Sequence, residues 1–324
     1  MRLALVIVSY NSGDLLERCL SAVQAQTRPP DRIVVVDNAS SDDSVNRVRE
    51  RWTGIEVLEM ERNIGFAAAN NRGLEACGDC DWVALLNPDA FPEPGWLASM
   101  SGAAADLPRA GSFASCLLKD DDPSKLDGMG DAYHVSGLVW RIGHGEPRPP
   151  GGARREVFAA CAAAAMYHRD AVQAAGGFDE SYFCYNEDVD LGFRLRLAGR
   201  ACWYIPDAVV RHVGSAVTGA HSDFSLFHGH RNLVWTYLKN MPSALLLRFL
   251  WQHLLLNLVT VVVLTVRYRS TAVVRAKLSA LKGLRRVLRQ RRGIQAVRTC
   301  SNGELLAVMT QGWWRCYFRR HMSE

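Results

Sequence analysis

The chain has 324 residues, with 38 Lys or Arg against 33 Asp or Glu, giving a formal net charge of +5. This length suffices for one large α/β domain with an appendage. The nine cysteines are scattered without framework spacing, which argues against a disulfide-stapled secreted domain and favours a reducing compartment. Cys77 and Cys80 form a CxxC without a partner pair, so we interpret them as structural rather than zinc-binding.

The charge is distributed unevenly along the chain. Residues 1–223 contain 21 basic and 31 acidic side chains, whereas residues 224–324 contain 17 basic and 2 acidic ones. No acid lies between Asp223 and Glu304. Such asymmetry predicts that the C-terminal part meets an anionic surface, either membrane or nucleic acid.

Strands and helices are expected to alternate over the first hundred residues. Short apolar runs predict buried strands at residues 3–8, 33–36, 55–60 and 82–86. The first run is too short for a signal peptide. Helical spacing follows two of the strands, with caps expected at Ser12 or Asp14 for the first helix and at Ser40 or Ser41 for the second. This alternation predicts a parallel sheet with right-handed crossovers.

Polar clusters end three of these strands: Ser9-Tyr10-Asn11, Asp37-Asn38 and Asn87-Pro88-Asp89. The carboxyl ends of parallel strands share one edge, where ligands bind in open α/β sheets. A carboxylate such as Asp89 suits a divalent cation that carries a diphosphate, although a turn or helix-capping Asp is the alternative. The sequence has neither a GxGxxG after the first strand nor a P-loop, which disfavours a dinucleotide site.

Four motifs in order resemble those of family 2 glycosyltransferases, and the likeness covers roughly residues 1–240. The motifs are VIVSYN at 6–11, VVVDNASSDDS at 34–44, NIGFAAANNRG at 63–73 and LLNPDA at 85–90. The resemblance is strongest to rhamnosyltransferase-type members. It implies a GT-A nucleotide-sugar-binding fold, with a mainly parallel sheet flanked by helices, and an inverting enzyme that uses Mg²⁺ or Mn²⁺.

The resemblance also assigns roles to residues near the donor. Asp37 would accept a hydrogen bond from the pyrimidine base, or would otherwise be a turn residue. The other expected nucleotide-sugar contacts are Ser9, Tyr10, Asn11, Asn63, Gly65, Asn70 and Asn87. Gly65 would allow close backbone approach. Asn87 and Asp89 occupy the family's Asp-x-Asp place, which leaves Asp89 as its one carboxylate, and His212 is the second expected metal ligand.

The middle of the chain carries the expected acceptor side and base. By composition residues 157–167 could form a strand or a helix, and the resemblance implies a strand and turn beneath the donor sugar. The acids at 120–122 are interpreted as a solvated loop. GGFDE at 176–180 and EDVDL at 187–191 resemble the family's acceptor and base segment. This places Asp179 and Glu180 on the acceptor side. Asp188 is the expected base, with Glu187 or Asp190 as alternatives. A further alternative is that all three acids only cap the helix.

The tail is expected to associate with a membrane surface. Residues 245–266 are apolar but contain Arg248, Gln252, His253 and Asn257, so we do not expect them to span a bilayer. Residues 267–292 carry ten Lys or Arg and no acid, and their apolar spacing predicts one basic amphipathic helix at an anionic interface. Packing of this helix on its own domain is the alternative. A nucleic-acid partner is not expected, because the motifs for one are missing.

The sequence therefore predicts a GT-A domain at residues 1–240 and a basic helical tail at 241–324. Residues 1–100 would bind the nucleotide and residues 101–240 the acceptor. The expected reaction transfers a sugar from a dTDP- or UDP-sugar to a lipid-linked or polysaccharide acceptor, at the cytoplasmic face of the membrane. L-Rhamnose is the first candidate for this sugar. The alternatives are another hexosyl- or galactofuranosyltransferase, or a non-catalytic glycan- or membrane-binding protein. A nucleotidyltransferase would want a basic Gly-rich loop after the first strand, which the sequence lacks.

Overall fold

The computed structural model describes residues 1–149, 151–214 and 222–312. The strands of these residues are β1 (Leu3–Ser9), β2 (Arg32–Asp37), β3 (Ile55–Glu59), β4 (Trp82–Leu86), β5 (Ala90–Pro92), β6 (Ala110–Lys119), β7 (Leu126–Gly128), β8 (Asp131–Tyr133), β9 (Val139–Arg141), β10 (Arg155–Val157), β11 (Ala164–His168) and β12 (Ala201–His212). The helices are α1 (Asp14–Gln24), α2 (Ser44–Arg51), α3 (Phe66–Ala76), α4 (Trp96–Asp106), α5 (Arg169–Ala174), α6 (Glu187–Leu197), α7 (Asp223–Asn240), α8 (Ser243–Tyr268), α9 (Ala272–Lys282), α10 (Leu284–Ala296) and α11 (Asn302–Val308). A 3₁₀ turn spans Glu180–Tyr182.

The main sheet has the strand order β10, β12, β6, β11, β4, β1, β2, β3. The half of the sheet formed by β4, β1, β2 and β3 is parallel, because β1 pairs in parallel with both β2 and β4, and β2 pairs in parallel with β3. β11 runs antiparallel between β4 and β6, whereas β12 is parallel to β6. The predicted mixed α/β fold with a mostly parallel sheet is confirmed, and the carboxyl ends of β1, β2 and β4 share one edge.

Alternating side chains of the strands feed two apolar layers, one on each face of the sheet. Leu5 and Ile7 of β1 pack with Leu16 and Leu20 of α1 on one face. Val6 points to the other face, in the cluster that includes residues of α3. Because both faces are covered, the strands read as continuous apolar runs rather than as alternating ones.

The predicted strand at residues 82–86 matches β4, and three others match within one or two residues. The predicted helix caps are wrong. α1 begins after Gly13 without a side-chain cap, since the Ser12 hydroxyl bonds Ser9 Oγ and the Tyr10 amide instead. α2 begins only at Ser44, because Ser40 Oγ is engaged by the backbone N–H of Asn11 in the preceding loop.

The predicted single basic helix over residues 267–292 is not confirmed, because α9 and α10 are separate helices that meet at Gly283. A Cβ at Gly283 would lie 2.7 Å from Trp235 Cζ2, so close packing on α7 requires glycine there. Val273, Ala276 and Val287 are buried. These helices therefore pack on their own domain, as the alternative reading held.

α8 is continuous over 26 residues, although the sequence analysis emphasised its polar interruptions. Among the described ranges it is the one helix that is long and apolar enough to cross a membrane, by length and composition alone. Leu245 and Phe249 of α8 share a buried cluster with Tyr133, Phe158 and Phe193 of the preceding domain. The division at residue 240 stays a prediction, and the helices that follow it are packed on that domain.

Replacing Gly73 by alanine tests the packing of α3 on the sheet. A Cβ at Gly73 would lie 2.3 Å from Val6 Cγ1, so we expect Gly73→Ala to lower the free energy of unfolding by about 1–3 kcal/mol. Gly102→Ala in α4 is the matched control, because no heavy atom lies within 4 Å of its Cβ position. There alanine should raise stability by about 0.5–1 kcal/mol. Urea unfolding measures both, and equal effects would contradict this packing.

Candidate active site

A cleft of about 800 Å³ opens at the carboxyl ends of β1, β2 and β4. It is also bordered by residues before and at the start of α6 and by the turn at residues 161–163. The predicted site residues that line it are Tyr10, Asn63, Gly65, Asn87, Asp89, Glu187, Asp188 and His212. The sheet thus brings together side chains that are far apart in the sequence.

Asp89 and His212 meet at one end of this cleft. The antiparallel pairing of β5 with β12 sets His212 opposite Ala90, and His212 Nε2 lies 3.4 Å from Asp89 Oδ1. On the other side of the ring, Nδ1 lies 2.8 Å from Asp127 Oδ2. Burial lowers the pKa of His212, but the hydrogen bonds to Asp127 and Asp89 outweigh it and raise the pKa above its usual value. A metal ion bound at Nε2 would displace the proton that the protonated ring carries on that nitrogen.

Asp127 supports the His212 ring, and the sequence analysis did not predict it. Its carboxylate accepts hydrogen bonds from Arg141 and His212, and the His144 ring also lies beside it. Burial alone would raise the pKa of Asp127, but these partners hold it well below its usual range. Asp127 is therefore an ionised anchor that fixes the orientation of the His212 ring.

Asp188 lies at the first turn of α6 and faces the cleft. Its Oδ2 accepts the Ala162 amide at 3.0 Å and its Oδ1 accepts the Val189 amide at 2.8 Å, so the carboxylate is fixed in place. Burial raises the pKa of Asp188, while the two amides and the charge of Arg141 oppose that rise. A base with a raised pKa is better matched to proton transfer near neutral pH.

Glu187 lies beside Asp188 in a different environment. It is 5% exposed, and no hydrogen-bond partner reaches its Oε2 among the described residues. Burial, together with the neighbouring Asp188 charge, raises the pKa of Glu187 well above its usual value. Burial therefore favours the protonated form of Glu187, which is less suited to accept a proton than an ordinary glutamate.

Asp190, the other alternative base, is wholly buried and does not line the cleft. Its carboxylate accepts hydrogen bonds from Arg194 Nε at 2.9 Å and Asn240 Nδ2 at 2.7 Å, and Lys239 Nζ lies 2.8 Å away. Burial would raise the pKa of Asp190, but the Lys239 and Arg194 charges outweigh it and lower the pKa. Asp190 is a structural anion.

Asp131 and Arg141 also line the cleft, and the sequence analysis predicted neither. Burial, followed by the charge of Asp188, raises the pKa of Asp131 to about 8, so its side chain is mostly neutral at pH 7. Asp131 lies in β8 and Arg141 in β9. These strands have three residues each and are too short to give a periodic hydrophobic pattern in the sequence. The pairing of Asp131 with Arg141 in this ribbon was the feature that could not be read from the sequence.

The loop before α6 holds unusual backbone conformations. Phe183, Tyr185 and Asn186 have φ of 66°, 68° and 62°, in the left-handed region that non-glycine residues rarely adopt. Asn232 of α7 holds this loop, because its Nδ2 lies 2.8 Å from Cys184 O and 2.7 Å from Tyr185 O. Strained loops of this kind occur where the surrounding structure fixes them.

Asn63 and Gly65 also line the cleft. Asn38 Nδ2 donates to Asn63 Oδ1 at 2.9 Å, and that oxygen also accepts the Gly65 amide. Gly65 has φ 85°, and a Cβ there would lie 2.6 Å from Phe183 Cδ2. The close approach at Gly65 is thus made by a side chain of this protein, whereas the sequence analysis expected a ligand.

Several predicted donor contacts do not line the cleft. Asp37 is 4% exposed, and its carboxylate accepts the Ser40 amide at 3.2 Å, a contact that the turn role named as the alternative would make. Asn11 Oδ1 accepts the Ser41 amide, and Asn70 Nδ2 donates to Phe66 O. The Ser9 hydroxyl bonds Ser12. Their roles towards a nucleotide sugar stay predictions.

Asp179 and Glu180, expected on the acceptor side, are engaged elsewhere. Asp179 caps the 3₁₀ turn through Ser181 and lies 2.6 Å from Lys239 Nζ. Glu180 Oε1 accepts a hydrogen bond from Asn71 Nδ2. Neither lines the cleft, so contact with an acceptor stays a prediction.

The donor atoms around Asp89 determine whether a metal ion fits there. Among residues 1–149, 151–214 and 222–312, no group of three or more His, Cys, Asp or Glu is arranged to hold one. Asp89 and His212 supply one carboxylate and one imidazole. Asn87 Oδ1 is a buried acceptor with no partner in the described chain. These donors fit Mg²⁺ or Mn²⁺ if a bound diphosphate completes the coordination.

Comparison with known sequences gives consistent matches. The profile of glycosyl transferase family 2 matches residues 4–176. The N-acetylglucosaminyl-diphospho-decaprenol L-rhamnosyltransferase of Mycobacterium tuberculosis is 31% identical over 258 residues, which are 71% of this chain and 82% of that protein. Galactofuranosyltransferase GlfT1 of the same organism is 28% identical over 217 residues, 64% of this chain and 68% of that protein.

Solved structures share the fold. GalNAc-T7, crystallised with UDP, GalNAc and Mn²⁺, superposes with a TM-score of 0.62 at 17% identity, covering 74% of this chain and 48% of that one. Mannosyltransferase PcManGT from Pyrobaculum calidifontis, in complex with GDP-Man and Mn²⁺, gives a TM-score of 0.55 at 20% identity, covering 95% and 85%. The fold is of the GT-A type.

Substituting Asp127 tests whether this anchor prepares His212 for a cation. We expect Asp127→Asn to weaken Mn²⁺ binding about 10–100-fold, because the carboxylate that fixes the ring and raises its basicity is lost. Electron paramagnetic resonance of free Mn²⁺, with UDP or dTDP present, measures the affinity. Asp106→Asn, at an exposed ion pair with Arg154, is the control. Unchanged affinity in a folded Asp127→Asn protein would contradict this role.

Proposed function

This chain belongs to glycosyl transferase family 2, and we propose that it transfers a sugar with inversion from a nucleotide-diphosphate donor to a lipid-linked glycan. The first candidate for the sugar is L-rhamnose, carried by dTDP or UDP. The observation that carries the proposal is the shared cleft, in which Asp89 and His212 border the same space as Asp188. A cation-binding end and a fixed carboxylate in one hollow are what an inverting transfer requires.

The reaction is a single displacement at the anomeric carbon. Asp188 takes the proton of the acceptor hydroxyl while that oxygen forms the new glycosidic bond. The bond to the diphosphate oxygen breaks on the opposite face, and the diphosphate leaves with the electron pair. The amides of Ala162 and Val189 keep Asp188 in position for this step.

The environments of the acids favour Asp188 over Glu187 as the base. Glu187 is buried without a partner on Oε2, and burial together with the Asp188 charge raises its pKa and favours its protonated form. Asp131 is also mostly neutral, so the negative charge of this wall concentrates on Asp188. Differing environments that push pKa values apart are the usual way in which similar groups acquire different roles.

The departing diphosphate is the other charge to be stabilised. A divalent cation held by Asp89 and His212, with Asn87, would supply positive charge to it when bound. Arg141 lines the same cleft and adds a fixed positive charge. Asp127 holds Arg141 as well as His212, so both cationic elements have a common support.

Relatives support a lipid-linked acceptor and leave two candidate sugars. A decaprenol-linked acceptor is named for the 31% identical rhamnosyltransferase, and a galactofuranosyltransferase is 28% identical. Galactofuranose is therefore the second candidate. With a lipid-linked acceptor, the enzyme would work at the inner face of the cell membrane, where soluble sugar nucleotides are available.

Substitutions at the two neighbouring acids distinguish their roles. Asp188→Asn should reduce sugar transfer about 10²–10⁴-fold, because the proton acceptor is removed. Glu187→Gln should retain most of the activity, because glutamine resembles the protonated form that burial favours at this position. Transfer is measured with purified protein, a panel of dTDP- and UDP-sugars and a polyprenyl-diphosphate glycan. Slow donor hydrolysis should persist in a folded Asp188→Asn protein, and a reversed pattern of loss would assign the base to Glu187.

The pH dependence of kcat/KM follows from the same assignment. Asp188 must be ionised to accept the proton, and burial raises its pKa, so activity should fall as pH falls through that raised value. The acid limb is therefore expected above the value of about 3.9 of an unperturbed aspartate. Circular dichroism over the same range controls for unfolding. A profile that stays flat down to that ordinary value would contradict the assignment.

A further inference from the structure

One face of α8 presents large apolar side chains to solvent. With 3.6 residues per turn, Leu247, Leu254, Leu255, Leu258, Val262 and Val266 lie on the same side of the helix. They are between 39% and 73% exposed. We call this face the α8 stripe. A continuous apolar surface of this kind on a folded chain marks a contact site.

The opposite face of α8 is fixed to the domain near the start of the helix. Leu245, Phe249 and His253 are buried. His253 Nδ1 lies 2.8 Å from Ser136 O, and its ring stacks on Tyr237 with centroids 3.8 Å apart. This part of the helix cannot be surrounded by lipid without losing those contacts.

The far end of α8 is fixed as well. Val261 and Leu264 pack against the cluster of Leu226, Ala272 and Val273. The 26 residues of the helix give it a length of about 39 Å. Because both ends rest on the same protein body, α8 lies along the domain. A bilayer crossing would bring the packed domain into the hydrocarbon.

The charge around the stripe identifies what covers it. Residues 224–303 contain no acid, and Arg248, Arg269, Lys282, Arg285, Arg289 and Arg292 are exposed. A second copy paired through α8 would bring two cationic surfaces together, which is unfavourable. An apolar stripe with cations on the same helical assembly matches the interface of an anionic bilayer.

The end of α8 also reaches the cleft. Ser270 follows the helix, and its hydroxyl donates to Asp223 Oδ1 at 2.5 Å. Phe224, which follows Asp223, is 39% exposed and lines the cleft, so it lies at the cleft entrance. The stripe and the cleft entrance are therefore connected through the first turn of α7.

We propose that the α8 stripe inserts in the plane of an anionic lipid surface and holds the cleft entrance at Phe224 beside that surface. A lipid-linked acceptor then reaches Asp188 without leaving the membrane. The membrane contact shifts from the basic stretch 267–292 to α8, whose exposed face is the apolar one. The use of this contact for the acceptor rests on the proposed function, whereas the contact itself does not.

Vesicle binding of the full chain tests the proposal. The protein is sedimented with vesicles of phosphatidylcholine, with or without phosphatidylglycerol, in the absence of donor and acceptor. We expect binding to the anionic vesicles, and Leu258→Glu with Val262→Glu should weaken it about tenfold or more. Leu258→Ser with Val262→Ser keeps the net charge and should also weaken binding, because the apolar burial is lost.

A matched control uses the same chemistry on the basic stretch and just beyond it. Leu288→Glu with Val297→Glu adds two acids at positions that are 44% and 69% exposed, and its effect should be clearly smaller. Equal loss in both pairs, or loss in the control alone, would overturn the role of α8. Failure of the wild-type protein to bind the anionic vesicles would also overturn the role of α8. A wild-type dimer that the α8 substitutions dissociate would overturn it as well.

Donor hydrolysis separates this proposal from the catalytic one. The α8 variants should hydrolyse the nucleotide sugar at the wild-type rate, because no substituted residue lines the cleft. Wild-type protein that binds vesicles but neither transfers sugar nor hydrolyses any donor would refute the proposed function and leave the membrane contact standing. Thermal unfolding of each variant confirms that it is folded.

Discussion

The carboxylate of Asp190 joins the helix that carries the proposed base to the helix behind it. It has no exposed surface, and it is met by Arg194, Lys239, Asn240 and the Tyr182 hydroxyl. A buried charge is tolerated only when its partners satisfy it, and losing one partner leaves an uncompensated charge. The position of the first turn of α6 therefore depends on a polar network that lies outside the cleft.

Three acids within one turn of α6 acquire different properties from their surroundings. The charges of Lys239 and Arg194 favour the ionised form of Asp190, and burial favours the protonated form of Glu187. Asp188 is fixed by two amides and faces the cleft. Helix capping, the structural interpretation of these three acids, does not account for these differences. Chemical role follows here from burial and from neighbouring charge rather than from residue type.

The sequence predicted the elements whose pattern is local and missed the contacts that are not. β1 to β4 carry long apolar runs, and their polar ends predicted the edge where the cleft lies. Asp127, Asp131 and Arg141 lie in three-residue strands, whose pairing depends on distant chain. The hydrogen bond between the Asp37 carboxylate and the Ser40 amide depends on a backbone direction that no motif specifies. Helical spacing ran through Gly283 without showing that Trp235 packs there.

The uneven charge of the chain gives the folded protein a direction. Helices α7, α9 and α10 pack together, so the excess positive charge of residues 224–303 lies on one helical assembly, whereas the first 223 residues carry an excess of acids. The molecule is thus an electric dipole. Within a Debye length of about 8 Å from an anionic bilayer, such a dipole experiences a torque that turns its positive end towards the lipid. Orientation would then precede contact, and adding salt would slow the approach.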